Sequence, residues 1–192
     1  MDMKKLVFAA MACLMVMAMV TGCKDTAKNN TQTGDDSTEV ADATPDSTVY
    51  GVCGESTAMH TLELITAGGD SIEYMIAEDE EGTQDVKGGL LVGDRLAVIE
   101  GPSTDGERVA KKVINLTTLC GKWTSIDKNF EIQEGGGVIS NIKVEKNPWT
   151  SWKILNGHLV LNRDTFDITN LGSDSLYLEN KEGIFVYKRL KN

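Results

Sequence analysis

Few side chains in this 192-residue chain belong to the types from which catalysis or metal binding is usually built. The two histidines, His60 and His158, stand far apart with no Cys-x-x-Cys or His-x-His beside them. Imidazole or thiolate ligation needs several such donors to converge, so no metal site is expected. His60 precedes Leu62 and Leu64 on what reads as one apolar strand face and is expected to be a satisfied core residue. His158, next to Asn156-Gly157, is expected to be exposed. Gly54-Glu55-Ser56-Thr57-Ala58 lacks the final glycine and the strand-to-helix setting of a nucleophile elbow. There is no phosphate loop and no dinucleotide fingerprint, so no cofactor is implied. Glu78-Asp79-Glu80-Glu81 reads as a solvated loop. No catalytic residue stands out, and the chain does not read as an enzyme. Trp149 and Trp152 follow Pro148 and flank Thr150-Ser151. Either one of them sits at a rim, where it could grip a ligand or partner, or both pack between domains.

Composition narrows the classes further. Asp and Glu number 29 against 19 Lys and Arg, a net charge of −10, with 41% hydrophobic residues. The chain is therefore globular on average. It lacks the basic surface that nucleic-acid binding needs to displace counterions, so nucleic acid is not expected as a partner.

The N-terminus reads as an address. Lys4 and Lys5 precede an apolar run from Leu6 to Val20, too short to span a bilayer and the right size for a signal peptide. The run ends in Val20-Thr21-Gly22-Cys23, which resembles the lipobox of bacterial lipoproteins. That resemblance implies cleavage after residue 22, a diacylglyceryl thioether on Cys23, and membrane attachment through the lipid anchor. Lys24 in place of aspartate points to the outer membrane. Lys24-Asp25 is similar to the start of surface-exported lipoproteins of some Gram-negative gut anaerobes, so the periplasmic and surface faces both stay open. Residues 23–48 are rich in Asp, Thr, Ser and Asn, with no aromatic residue. Such a segment cannot bury enough apolar surface to order itself; as a flexible coil it spans roughly 25–30 Å. Asp-Thr-Ala at Thr26, Asp-Ser-Thr at Ser37 and Asp-Ser-Thr at Ser47 resemble O-glycosylation acceptors of the same gut anaerobes.

Beyond the linker the pattern is all-β, and two small antiparallel β-barrels are expected. In residues 49–118 apolar and polar residues alternate around Leu62-Leu64 and Ile72-Tyr74-Ile76, joined by Ala67-Gly68-Gly69-Asp70, a hairpin turn. Gly93-Asp94-Arg95 leads into Leu96 to Ile99, and Arg108 to Leu116 forms the last strand. Five or six strands with no helix in 70 residues favour a closed barrel. The order, with Leu91 to Val98 as its best piece, resembles the OB-like barrels of envelope lipoproteins. The local charge of −8 removes strand-binding to nucleic acid from what that implies.

Residues 119–192 open with Gly121-Lys122-Trp123. Pairs at Phe130/Ile132, Ile142/Val144, Trp152/Ile154, Leu159/Leu161, Phe166/Ile168, Leu176/Leu178 and Phe185/Tyr187 follow as a meander, with Asn156-Gly157 as a type I′ turn. This resembles the short lipocalin-like domains of envelope lipoproteins. The resemblance implies that Trp123 plugs one end of the barrel, with Arg189 of the last strand stacked on it beside Gly121. At 74 residues the strands are short and their inward residues bulky, so a filled core is favoured over an enclosed ligand cavity. In an oxidising envelope Cys53 and Cys120 form either a disulfide, worth roughly 4 kcal/mol in the chain-entropy model, or a pair of buried thiols.

Two functions fit these features. One is a lipid-anchored binding or interaction protein whose ligand is a small apolar molecule or a partner protein. The other is a structural or stress-sensing envelope lipoprotein without a ligand. A similar pairing of barrels occurs in a Gram-negative copper-response and adhesion-sensing lipoprotein family, where the order is reversed and a Cys-x-x-Cys, missing here, is present.

Overall fold

A computed structural model describes residues 45–191; Cys23 and the acceptors Thr26 and Ser37 lie outside them. Alternation in the sequence becomes alternation in burial. In β2 (Thr61–Thr66), Leu62 and Leu64 are fully buried while Ile65 is exposed, and in β3 (Ser71–Ile76), Tyr74 and Ile76 face inward. With β1 (Thr48–Cys53), β4 (Val86–Lys87), β5 (Arg95–Glu100) and β6 (Val109–Asn115) they form a six-stranded sheet in the order β3-β2-β1-β5-β6-β4. The sheet closes because β3 also pairs with β6 through Met75–Val109 and Ile76–Ala110. That pairing is parallel, as is β4 with β6, so the barrel is not antiparallel throughout. Its core holds Cys53, Leu62, Leu64, Tyr74, Leu96, Val98 and Val113, each large aliphatic contributing about 1.5–3 kcal/mol by leaving water.

The last strand stops short of Leu116. Asn115 instead caps a helical turn, α1 (Leu116–Leu119), its side-chain oxygen accepting from Thr118 N at 2.8 Å. A polar residue that caps a turn offers the backbone an alternative to the ladder, which is why strand alternation breaks here. Asn115 has no solvent exposure. Its amide donates to Asp94 Oδ2 at 2.6 Å and to Gly89 O at 3.0 Å.

Eight further strands follow: β7 (Gly121–Thr124), β8 (Asn129–Ile132), β9 (Val138–Ser140), β10 (Trp152–Leu155), β11 (His158–Leu161), β12 (Asp164–Leu171), β13 (Ser175–Asn180) and β14 (Gly183–Arg189). Every pairing in this sheet is antiparallel, in the order β10-β11-β12-β13-β14-β7-β8-β9. Its two ends meet at a bridge between Gly137 and Ser151. The β10–β11 turn is Asn156-Gly157 with φ of 47° and 82°, the left-handed pair that a type I′ turn demands. Ile142 and Val144 do not form a strand: residues 141–148 are a loop, with Val144 exposed. In β12 the register shifts between Ile168 and Asn170, so Leu171 faces inward with Phe166 and Ile168.

The two barrels share packing. Ala97 and Ile114, from the first sheet, and Leu116 and Leu119, from α1, belong to the same buried cluster as Trp123, Leu159 and Tyr187. Tyr50 Oη donates to Ile154 O at 3.0 Å across the joint. Near the end of the expected linker, Ser47 N donates to Asn156 Oδ1 at 2.9 Å, which ties that residue to the second barrel.

Cys53 and Cys120 are free thiols, so the disulfide alternative is not formed. Cys53 is buried in the first core with its sulfur 3.3 Å from Thr57 Oγ1, whereas Cys120 packs on the second core. The two sulfurs serve different interiors.

Asn115→Ala is expected to lose about 2–4 kcal/mol, since it removes a helix cap and the buried amide that joins Gly89 O and the half-buried Asp94 carboxylate. Asn115→Asp keeps the cap but opposes Asp94, and should be no more stable than Asn115→Ala in denaturant unfolding.

Candidate functional site

An up-and-down barrel has two ends, and chain order assigns the loops to them. The turns β8–β9, β10–β11 and β12–β13 lie at the end where α1 leads into β7. The connections β7–β8, β9–β10, β11–β12 and β13–β14 lie at the other.

The first end is sealed. Trp123 has no exposure, and its Nε1 donates to Leu119 O at 2.9 Å. The Arg189 guanidinium lies 4.1 Å from the centre of the indole ring, a cation–π contact of about 0.5–2 kcal/mol. Arg189 Nη1 donates to Cys120 O at 3.0 Å, Nε to Ser173 O at 2.6 Å, and Nη2 to Thr118 O. Gly121, at φ 136°, leaves the space: a Cβ there would collide with Arg189 Nη1. The three residues singled out in the sequence therefore meet in one place. Burial pushes the Cys120 thiol up in pKa, with Arg95 Nη2 3.8 Å from its sulfur.

The second end is open. A cleft of about 860 Å³ lies among its loops. Its floor is aromatic: Trp149, Phe166, Phe185 and Tyr187, of which Trp149, Phe166 and Tyr187 are at most 8% exposed. The rings meet edge to face, with Trp149–Phe166 at 5.8 Å, Phe166–Phe185 at 5.9 Å, and Phe130 bridging Trp149 and Tyr187 at 5.1 Å to each. Such pairs add about 0.5–1.5 kcal/mol beyond area burial and stiffen the floor. Burial pushes the Tyr187 phenol up to about 12, so it stays neutral. The barrel interior beneath is filled by Phe130, Ile132, Ile154, Leu159, Ile168 and Leu178.

Trp149 is thus neither a free rim residue nor a spacer between barrels; it forms the floor. Its Nε1 donates to Asp164 Oδ2 at 3.2 Å, and Lys128 Nζ stands 4.4 Å from its ring centre. Lys128 is held in turn by Glu145 Oε1, and Ser140 Oγ donates to Glu145 Oε2. Burial raises the Glu145 pKa, but these hydrogen bonds outweigh it and hold the carboxyl below its ordinary 4.5. Glu145 thereby anchors the 141–148 loop to the cleft wall. Trp152 lies elsewhere, half-buried, donating to Gln133 O at 2.7 Å in the β8–β9 turn.

The remaining candidates do not converge. His60 is not a core residue: β2 begins at Thr61, and the imidazole lies exposed with Nδ1 2.7 Å from Glu78 Oε1. His158 pairs with Asp167 at 2.8 Å. Ser56 meets Glu63 through its backbone N–H. Ser47 is exposed, with its hydroxyl 3.1 Å from Asn156 Oδ1. Among the described residues no three His, Cys, Asp or Glu side chains are grouped to hold a metal. Comparison with family models, with curated proteins and with solved structures returns no match.

Because the Glu145 pKa is lowered in the folded state, the stability it contributes is present above pH 4.5 and lost as pH falls through the depressed value. Glu145→Gln should therefore flatten the decline of unfolding midpoint between pH 6 and pH 3 relative to the parent protein, followed by Trp fluorescence in denaturant.

Proposed function

We propose that this chain is a lipid-anchored envelope protein of the outer membrane that binds a ligand or partner segment in the open-end cleft of its second, lipocalin-like barrel. The observation that carries this is the aromatic floor beneath a cleft of about 860 Å³, at the end opposite the Trp123 plug. Ligand sites are concave and mostly apolar, with a few placed polar groups. Here Lys128, Asp164 and Asn147 supply the polar groups at the rim. The packed interior argues against carriage of a ligand enclosed in the barrel, and it favours the alternative of a structural or sensing lipoprotein only if the cleft stays empty.

Binding is tested with N-phenylnaphthylamine, a neutral apolar dye whose fluorescence rises on leaving water. It should bind the protein, and Phe185→Asp, at the half-buried ring of the cleft floor, should weaken it at least tenfold, with circular dichroism checking that the variant folds. Dye binding that is absent, or indifferent to Phe185→Asp in the folded variant, removes the reading. The anchor is tested separately: labelled palmitate should enter the parent protein in cells and not Cys23→Ser.

A further inference from the structure

The strands that flank the cleft differ in length: β14 has seven residues and β7 four. Only Lys188 and Arg189 pair with β7, opposite Thr124 and Trp123. Past Thr124 the chain turns back through Ser125–Lys128, closed by Ser125 N to Lys128 O at 2.7 Å. On its other side β14 is paired with β13 from Gly183 to Lys188. Amide directions alternate along a strand. Leu190 N donates to Lys122 O at 2.9 Å on the β7 side, and Arg189 N to Asp174 O at 2.8 Å on the β13 side. Stepping back by twos, the N–H and C=O groups of Val186 and Ile184 face the β7 side. Among the described residues no strand pairs with them there.

The cleft therefore contains a bare strand edge, and a bare edge is satisfied by another strand. Five residues laid beside 183–187 would extend about 17 Å. Side chains opposite Phe185 and Tyr187 would point onto the aromatic floor, and those opposite Ile184 and Val186 would point outward. The rim adds a charge preference. Asp127, Asp164 and Glu182 line the cleft with no Lys or Arg partner, Lys128 is engaged by Glu145, and Lys188 is the one unpaired base among the described lining residues. The site is acidic by two charges, and the free edge is only the short stretch 183–187, with the Ser125–Lys128 turn lining the same cleft, which matches a short chain segment more closely than the edge of a second barrel.

We propose that the cleft takes an extended peptide, apolar at alternate positions and basic at its ends, added as a strand to β14. This rests on reading the cleft as the binding site and names what the site accepts. The test uses the full-length lipoprotein in detergent and a capped, dye-labelled hexapeptide with lysine at both ends and phenylalanine alternating with threonine between. The peptide should bind, read as fluorescence polarisation. N-methylation of its alternate amides, which removes the N–H groups while keeping the side chains, should weaken it at least tenfold in the register that blocks the β14-facing set. Glutamate in place of both lysines should weaken it at least threefold. Val186→Pro removes a protein N–H that faces the gap and spares the ladder to β13; it should weaken the parent peptide tenfold. Circular dichroism checks its fold, and if it does not fold the N-methylated peptides carry the test. Equal binding of parent and both N-methylated peptides overturns strand addition. N-phenylnaphthylamine binding to the wild-type protein without peptide binding overturns it too, and leaves the cleft reading standing; failure of both probes removes both. A concentration-dependent dimer that excludes the peptide assigns the edge to a second copy and overturns the proposal as well.

Discussion

One helical turn holds the molecule together. The last carbonyls of a helix have no partner within it, and α1 has only four residues, so nearly all of its carbonyls need partners from elsewhere. They are found in the second barrel: Trp123 Nε1 takes Leu119 O, Arg189 takes Thr118 O, and its other nitrogen takes the adjacent Cys120 O. The cation is also favoured there by the negative end of the turn. At the other end Asn115, buried in the joint, caps the turn and binds the Gly88–Gly89 loop and Asp94 of the first barrel. The first barrel therefore sets where the turn lies, and the turn sets where the plug lies. Burial draws the Arg189 pKa down from its ordinary value, yet the guanidinium stays charged because its ordinary value is so far above neutrality.

What was legible in the sequence is what depends on local period. Strand alternation shows in Leu62-Leu64, Ile72-Tyr74-Ile76 and Leu176-Leu178, and the Asn156-Gly157 turn is a two-residue decision made by left-handed propensity. The stacking of Arg189 on Trp123 is implied by a family resemblance, and the geometry supplies its reason in the collision that any Cβ at residue 121 would meet. Features that depend on competition between distant groups were not legible. Leu116 continues the apolar pattern of Val113 and Ile114, and only the cap made by Asn115 turns it from strand to helix. Ile142 and Val144 alternate as a strand would, but Glu145 is drawn to Lys128 and Ser140, and Pro148 follows, so the chain leaves the sheet. The bulge in β12 did leave a trace, the step of three from Ile168 to Leu171 after a step of two from Phe166.

The site follows the same division. That Phe166, Phe185 and Tyr187 face inward could be read from spacing, but the place of Trp149 stayed open, and nothing local shows that the four would form the floor of one cleft, since they come from one loop and two strands. The gap beside β14 depends on where β7 turns away, and no residue type announces it. His60 escapes the pattern for a related reason: a period of two carries on past the strand that bears the face, and β2 begins only at Thr61.

The sealed end, the filled middle and the open end are three consequences of one limit on length. Strands of three to eight residues enclose too little volume for both a packed core and a cavity. Filling the interior with Phe130, Ile154, Leu159 and Leu178 gives the small barrel its stability, and leaves only its two ends for the chain to close or leave open. One end is taken by Trp123 and Arg189, because the chain must enter there through α1. At the other, shortening β7 to four residues deprives β14 of a neighbour, so the wall that a longer barrel would complete is missing beside the aromatic rings. The same economy of chain that leaves no room for an enclosed cavity thus exposes, at one rim, both an apolar surface and a row of unpaired backbone groups.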